Sequence, residues 1–159
     1  MRSIQSKILS IEALKSKVQS LKRSHQRIVT TNGCFDILHW GHLQYLEKAR
    51  ALGDVLICAI NQDASVKKLK GPERPIHSEM IRAQQIAALE SVDFVVLFGE
   101  DTPEKVLEVI QPDIHVKGGD YNPELLPERA VVERHGGKVQ CLPLAAGFST
   151  TDLLKKLGD

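Results

Sequence analysis

The sequence predicts an α/β fold, one doubly wound parallel sheet of about five strands with helices on both faces. Two observations carry this. Short, mainly apolar runs recur at 55–60, 94–98, 114–116 and 139–144, the first two unbroken, as expected of strands covered on both sides. Between them lie segments with apolar residues at helical spacing, near 41–52, 63–69, 78–90, 102–110 and 124–135.

Taken in order, residues 3–24 place Ile4, Ile8, Ile11, Leu14, Val18 and Leu21 on one helical stripe, with Lys and Ser on the other faces. Residues 1–26 are therefore expected to form an N-terminal helical extension, either packed on the domain or a partner subunit or, as the favoured reading, a solvated helix with no role beyond stability, and 27–159 the main domain. Ile28 and Val29 open the first strand. The helix after it carries Leu43, Leu46, Ala49 and Leu52 and stops at Gly53, a natural C-cap. Asp101, Thr102 and Pro103 give the helix over 102–110 a clear start. Alternation of this kind, without repeat or linker, describes a single Rossmann-like unit. Ligands in such sheets bind beyond the carboxyl ends of the strands, so candidate residues should fall just after the apolar runs.

Composition excludes several classes. Of 159 residues, 42% are hydrophobic and 26% charged, the balance of a globular domain with one core. A net charge of +1 gives no electrostatic case for nucleic acid or an anionic membrane. No apolar run approaches the roughly 20 residues needed to cross a bilayer, and no signal-peptide core is present. Cys34, Cys58 and Cys141 are odd in number and lack C-x-x-C spacing, so no disulfide framework is expected and cytoplasm is the default location. Cys34 reads as a small packed residue, not a thiolate nucleophile.

The densest signal is residues 31–42, Thr-Asn-Gly-Cys-Phe-Asp-Ile-Leu-His-Trp-Gly-His. His39 and His42 sit where a strand hands over to a helix N-terminus, whose N–H groups and dipole suit a phosphate. Gly41 between them would let phosphate approach the backbone. No third His, Cys or carboxylate stands at a metal-ligand spacing, so no protein metal site is expected. Three further segments follow strands. Lys67, Lys68 and Lys70 precede Gly71-Pro72, a candidate mobile loop and a clamp for triphosphate charge. Gly118, Gly119 and Asp120 offer a Cβ-free turn with a carboxylate, suited to a base or ribose. Gly147, Phe148, Ser149, Thr150 and Thr151 open the last helix with three hydroxyls.

The 31–42 segment, with its His-x-Gly-His core, resembles the cytidylyltransferase-like family of nucleotidyltransferases. Within that family, Val116-Lys117-Gly118-Gly119-Asp120-Tyr121 is similar to the heptose-1-phosphate adenylyltransferases, and the likeness extends over residues 10–157. Gly147 to Thr151 resembles the family's Gly-Ile-Ser-Thr element. Many cytidylyltransferases have Arg-Thr-Glu before that glycine; Leu144-Ala145-Ala146 stands here and argues against a cytidine nucleotide.

The resemblance implies transfer of AMP from ATP to D-glycero-D-manno-heptose 1-phosphate, giving ADP-heptose and pyrophosphate for lipopolysaccharide or related glycoconjugate synthesis. It assigns His39, His42 and Lys70 to catalysis. Asn32, Gly33, Cys34, Phe35, Gly41, Lys68, Arg82, Gly118, Gly119, Asp120 and 147–151 fall to the nucleotide, and Asp36 to the substrate. Mg²⁺ would enter on the ATP phosphates. A stand-alone enzyme is expected, with a separate sugar kinase and phosphatase upstream and a homodimer left open. The alternatives are transfer to another phosphorylated alcohol, such as glycerol 3-phosphate or a flavin precursor, or a nucleotide-binding regulator without turnover.

Overall fold

The computed structural model describes residues 3–157; the outermost ends of the expected extension and main domain, residues 1–2 and 158–159, lie outside the described residues. Among these residues six strands form one parallel sheet: β1 (Ile8–Leu9), β2 (Ile28–Gly33), β3 (Val55–Asn61), β4 (Phe94–Phe98), β5 (Ile114–Gly118) and β6 (Lys138–Leu142). Their spatial order is β1-β4-β3-β2-β5-β6. The chain runs outward from β2 through β3 to β4, then returns to place β5 on the other side of β2. The order reverses between β2 and β5, and a crevice at such a switch point is where doubly wound sheets bind ligands.

Among the described residues, seven α-helices flank the sheet: α1 (Ile11–Arg23), α2 (Trp40–Arg50), α3 (Asp63–Lys70), α4 (Glu79–Ala87), α5 (Glu104–Ile110), α6 (Arg129–Arg134) and α7 (Thr150–Leu157). β3 is buried along its whole length and feeds both faces. Leu56, Cys58 and Ile60 pack with Tyr45, Leu46 and Ala49 of α2 and Ala83, Ile86 and Ala87 of α4. Val55, Ile57 and Ala59 pack with Leu14, Val18 and Leu21 of α1 and Val106 and Ile110 of α5. Strict period-two alternation of side chains explains why one uninterrupted apolar run serves both layers.

The structure corrects the sequence reading in two places. Residues 3–9 were expected to be helical. Instead Gln5–Lys7 form a 3-10 turn, and Ile8 and Leu9 pair with Val95 and Val96 as a sixth, edge strand. The helix proper begins at Ile11, where Ser10 caps it by accepting from the Ala13 N–H. Lys7 fixes the arrangement: its ammonium donates to the carbonyls of Ala87, Leu89 and Val92 at 2.8, 2.9 and 2.7 Å, satisfying backbone groups at the end of α4. The N-terminal segment thus joins the main sheet.

The helix expected over 124–135 is broken. Pro123–Leu125 form a 3-10 turn and α6 starts only at Arg129. Pro127 is the cause, because a residue before proline is driven out of helical geometry, and Leu126 is extended at φ −76° and ψ 128°. This break lets Glu128 sit buried at the start of α6, under β5.

Candidate active site

β2 ends in Asn32 and Gly33, and the chain then turns through Cys34, Phe35 and Asp36 before α2 begins. Phe35 holds a positive φ of 46°, a strained conformation for a bulky side chain. Its ring lies against Gly33, where an added Cβ would meet ring carbons at 3.1 to 3.4 Å. The same ring meets His42 edge-on, with centroids 5.4 Å apart. The glycine therefore seats the ring that braces a histidine.

His39 is the N-cap residue of α2 and makes no side-chain capping bond. Its ring stacks on His42 at 3.8 Å between centroids and 27° between planes. Gly41 makes this possible, because a Cβ there would press on the His39 ring at 3.0 Å and on Phe148 Cβ at 3.2 Å. Gly41 thus leaves room for the imidazole ring, a contact the sequence did not reveal. Burial lowers the pKa of both histidines. For His42 it falls from about 6.5 to about 4, with the His39 ring and the Lys70 ammonium adding to the effect. Both rings are neutral at pH 7, and the buried Nδ1 atoms of both have no hydrogen-bond partner. Two imidazoles left without internal partners are available to a ligand.

His42 faces a cavity of about 480 Å³ that straddles the β2/β5 switch point. Asn32, Gly33, Cys34 and Phe35 form one wall, Asn61 and Lys70 stand beyond β3, and Lys117, Gly118 and Tyr121 lie beyond β5. Asp101, Thr102, Leu126, Glu128 and Leu144 are among the other residues that line it. A second hollow of about 310 Å³ lies on the far side of the pair, where His39 meets Leu38, Trp40, Gly147, Phe148 and Ser149. The histidine pair separates the two spaces. Thr150 and Thr151 open α7 beside the second hollow without lining it, and Thr151 is exposed. A groove of about 470 Å³ between α1 and α5 gathers Lys15, Lys22 and Lys105 away from this chemistry.

Several expected residues are placed differently. Arg82 was expected to hold phosphates, yet it is fully buried. Its guanidinium donates to the His77 carbonyl at 3.0 Å, the Cys34 carbonyl at 2.6 Å and the Asp63 carboxylate at 2.7 Å. It ties the 34–36 turn to α3 and α4 and does not reach the cavity. Asp36, expected to meet substrate, is also buried and accepts from Arg74 Nε at 2.6 Å and from the N–H groups of Ile76 and His77 at 2.8 and 3.1 Å. Burial pushes its pKa up, but these donors outweigh it and hold the carboxyl below its ordinary value. The loop expected to be mobile is therefore fastened at 74–77. Lys68 lies off the cavity, 3.3 Å from Asp101 in an exposed pair worth little. Gly119 has a φ of 115°, which suits glycine, whereas Asp120 is exposed and outside the lining. The Cys34 thiol lines the cavity with its pKa raised by burial, against a thiolate role.

Sequence reading passed over Asn61 and Glu128 and gave Lys117, though part of a quoted motif, no role of its own. Asn61 and Lys117 are the first polar residues after apolar runs, a signal that the rule of strand carboxyl ends could have used. Glu128 had none, because the break at Pro127 positions it.

The profile of the cytidylyltransferase-like family matches residues 30–142, which includes the histidine pair and both strand ends that flank the cavity. The chain belongs to the cytidylyltransferase-like family. It is a nucleotidyltransferase. The bifunctional protein HldE of Geotalea uraniireducens is 50% identical over 151 residues, 95% of this chain and 31% of that protein. The bifunctional protein HldE of Azotobacter vinelandii is 49% identical over 150 residues, 94% of this chain and 32% of that one. The chain therefore spans about a third of the length of these relatives. Among solved structures, a lipopolysaccharide core biosynthesis protein from Thermoplasma volcanium superposes with a TM-score of 0.62 at 29% identity, over 76% of this chain and 97% of that one. A pantoate-beta-alanine ligase from Francisella tularensis has a TM-score of 0.61 at 16% identity, over 92% of this chain and 75% of that one, which shows a shared fold.

Proposed function

We propose that this chain transfers the adenylyl group of ATP to D-glycero-D-manno-heptose 1-phosphate and releases pyrophosphate. The observation that carries the reaction is the stacked His39–His42 pair beside a cavity that holds Lys70. The substrate rests on Val116-Lys117-Gly118-Gly119-Asp120-Tyr121, which leads into the opposite wall, and on the relatives, bifunctional HldE and a lipopolysaccharide core biosynthesis protein.

The sugar phosphate is already a nucleophile at pH 7, so the protein supplies no general base. Its oxygen attacks the α-phosphorus in line, a new P–O bond forms, and the bond to pyrophosphate breaks. Catalysis is then positioning plus stabilisation of growing negative charge. Neutral His39 and His42 each offer one N–H donor, and Lys70 offers an ammonium without an ion-pair partner among the described residues. Among those residues no group of three or more His, Cys, Asp or Glu gathers to hold a metal. Mg²⁺ would enter carried on the ATP phosphates, where it would supply charge neutralisation.

The test is pyrophosphate release, with four nucleoside triphosphates screened against a panel of sugar and alcohol phosphates. ATP with heptose 1-phosphate is expected to turn over, and CTP with glycerol 3-phosphate is not. The reverse pattern would overturn the substrate and leave the fold intact. ATP binding without turnover of any acceptor would favour a regulator.

A further inference from the structure

Among the described residues, the lysines that line the main cavity are Lys70 and Lys117, and they are in different electrical states. Lys70 is exposed at the end of α3. Lys117 is mostly buried, and its ammonium stands 3.0 Å from Glu128 Oε1 and 3.3 Å from Asn32 Oδ1. Glu128 is itself 1% exposed. The contact with Glu128 is an ion pair by distance, without the alignment of a hydrogen bond. From this we infer that Lys117, held by Glu128 and Asn32, reads the hydroxyls of the acceptor sugar. The inference rests on the transferase reading above and names how that cavity selects its acceptor.

The charge balance favours hydroxyl over phosphate. The Glu128 carboxylate cancels the Lys117 charge locally, so an anion gains little there, whereas Lys70 keeps its charge for phosphate. An ammonium has three donors and no acceptor, and Asn32 brings an amide with both. Together they offer donors and acceptors to a neutral polyol. Three elements converge to build this group: Asn32 from β2, Lys117 from β5 and Glu128 from the start of α6. Behind them Thr30 Oγ1 and His115 Nδ1 stand 2.9 Å apart, and His115 Nε2 is 3.6 Å from Glu128. A buried ion pair is a poor device for stability alone, since packed apolar residues often do as well. Its place on the cavity wall points to recognition.

Lys117→Met keeps chain length and removes every donor. It is expected to raise KM for heptose 1-phosphate about 10- to 100-fold, the scale of one or two lost hydrogen bonds to a charged donor, with KM for ATP within about twofold. Because the single change strands the Glu128 carboxylate, Lys117→Met with Glu128→Gln is measured beside it, and the thermal midpoints of both are recorded. The decisive readout uses acceptors that lack one hydroxyl at a time. Wild type should lose affinity for at least one of them, and the Lys117 variants should be indifferent to that same deletion. A merely structural role would lower affinity for all acceptors alike and would overturn the inference. So would an unchanged acceptor KM, a shift in KM for ATP instead, or an equal loss of affinity for inorganic phosphate. If wild type uses another sugar phosphate but not heptose 1-phosphate, the heptose reading falls and Lys117 is judged on that sugar. If no sugar phosphate is used, both fall.

Discussion

Replacing Arg82 with methionine separates the structural assignment of this residue from a phosphate-binding one. The guanidinium is wholly buried and makes three short bonds, to two backbone carbonyls and to the Asp63 carboxylate. Asp63 is about a third exposed (35%), so water recovers part of its loss. The carbonyls of Cys34 and His77 lose their Arg82 donor. Breaking a buried, hydrogen-bonded ion pair costs about 3–5 kcal/mol. The exposure of Asp63 places this case at the lower end, about 3 kcal/mol. For a domain of this size each kcal/mol lowers the melting midpoint by about 2–4 °C, so a drop of roughly 6–12 °C is expected. Calorimetry or circular dichroism on the purified variant measures it. Turnover by the folded fraction should also fall, because the freed Cys34 carbonyl loosens the turn that seats Phe35 against His42. A variant that melts with wild type but binds ATP at least tenfold more weakly would refute the reasoning and return Arg82 to the nucleotide.

Three further outcomes follow from the site. His42→Ala should fold normally and turn over about 100- to 1000-fold more slowly with little change in ATP affinity, as expected when a preorganised donor is lost from a transition state; steady-state kinetics checks it. With a folded pKa of about 4 against about 6.5 when unfolded, His42 is protonated more readily in the unfolded chain between those values. Stability should therefore be full above about pH 6.5 and decline as pH falls towards 4, by at most about 3 kcal/mol from this group, and His42→Gln should flatten that slope in urea melts across pH. Lys70→Ala should slow turnover while leaving the melting midpoint within about 1 °C, because the side chain is exposed and unpaired among the described residues; an unchanged rate would remove Lys70 from the phosphate clamp.

The parts of this protein that were legible in its sequence are those governed by local periodicity. β3 is an unbroken apolar run, so its burial on two faces could be read directly, and the same holds for β4. The pairing of His39 with His42 at a strand-to-helix junction was legible because it is a matter of spacing within one turn. Gly33 and Gly41 were visible as small residues, but their partners were not: one seats the Phe35 ring and the other the His39 ring, contacts that depend on where side chains fold back.

What tertiary structure alone decided is the fate of charged residues. Asp36 lies within the histidine-bearing segment and Arg82 is tied to the same site by family likeness, and nothing local distinguishes a charge that meets substrate from one that fastens a loop. The difference is set by burial and by partners up to 48 residues away, the separation between Arg82 and Cys34. The same holds for residues 3–9, whose apolar spacing fits a helix but whose sheet edge beside β4 offers backbone partners that a helix cannot use. Pairing with a strand 87 residues distant outweighs a local preference there, since an edge with unmet N–H and C=O groups gains hydrogen bonds from any strand that reaches it (Ile8 against Val95).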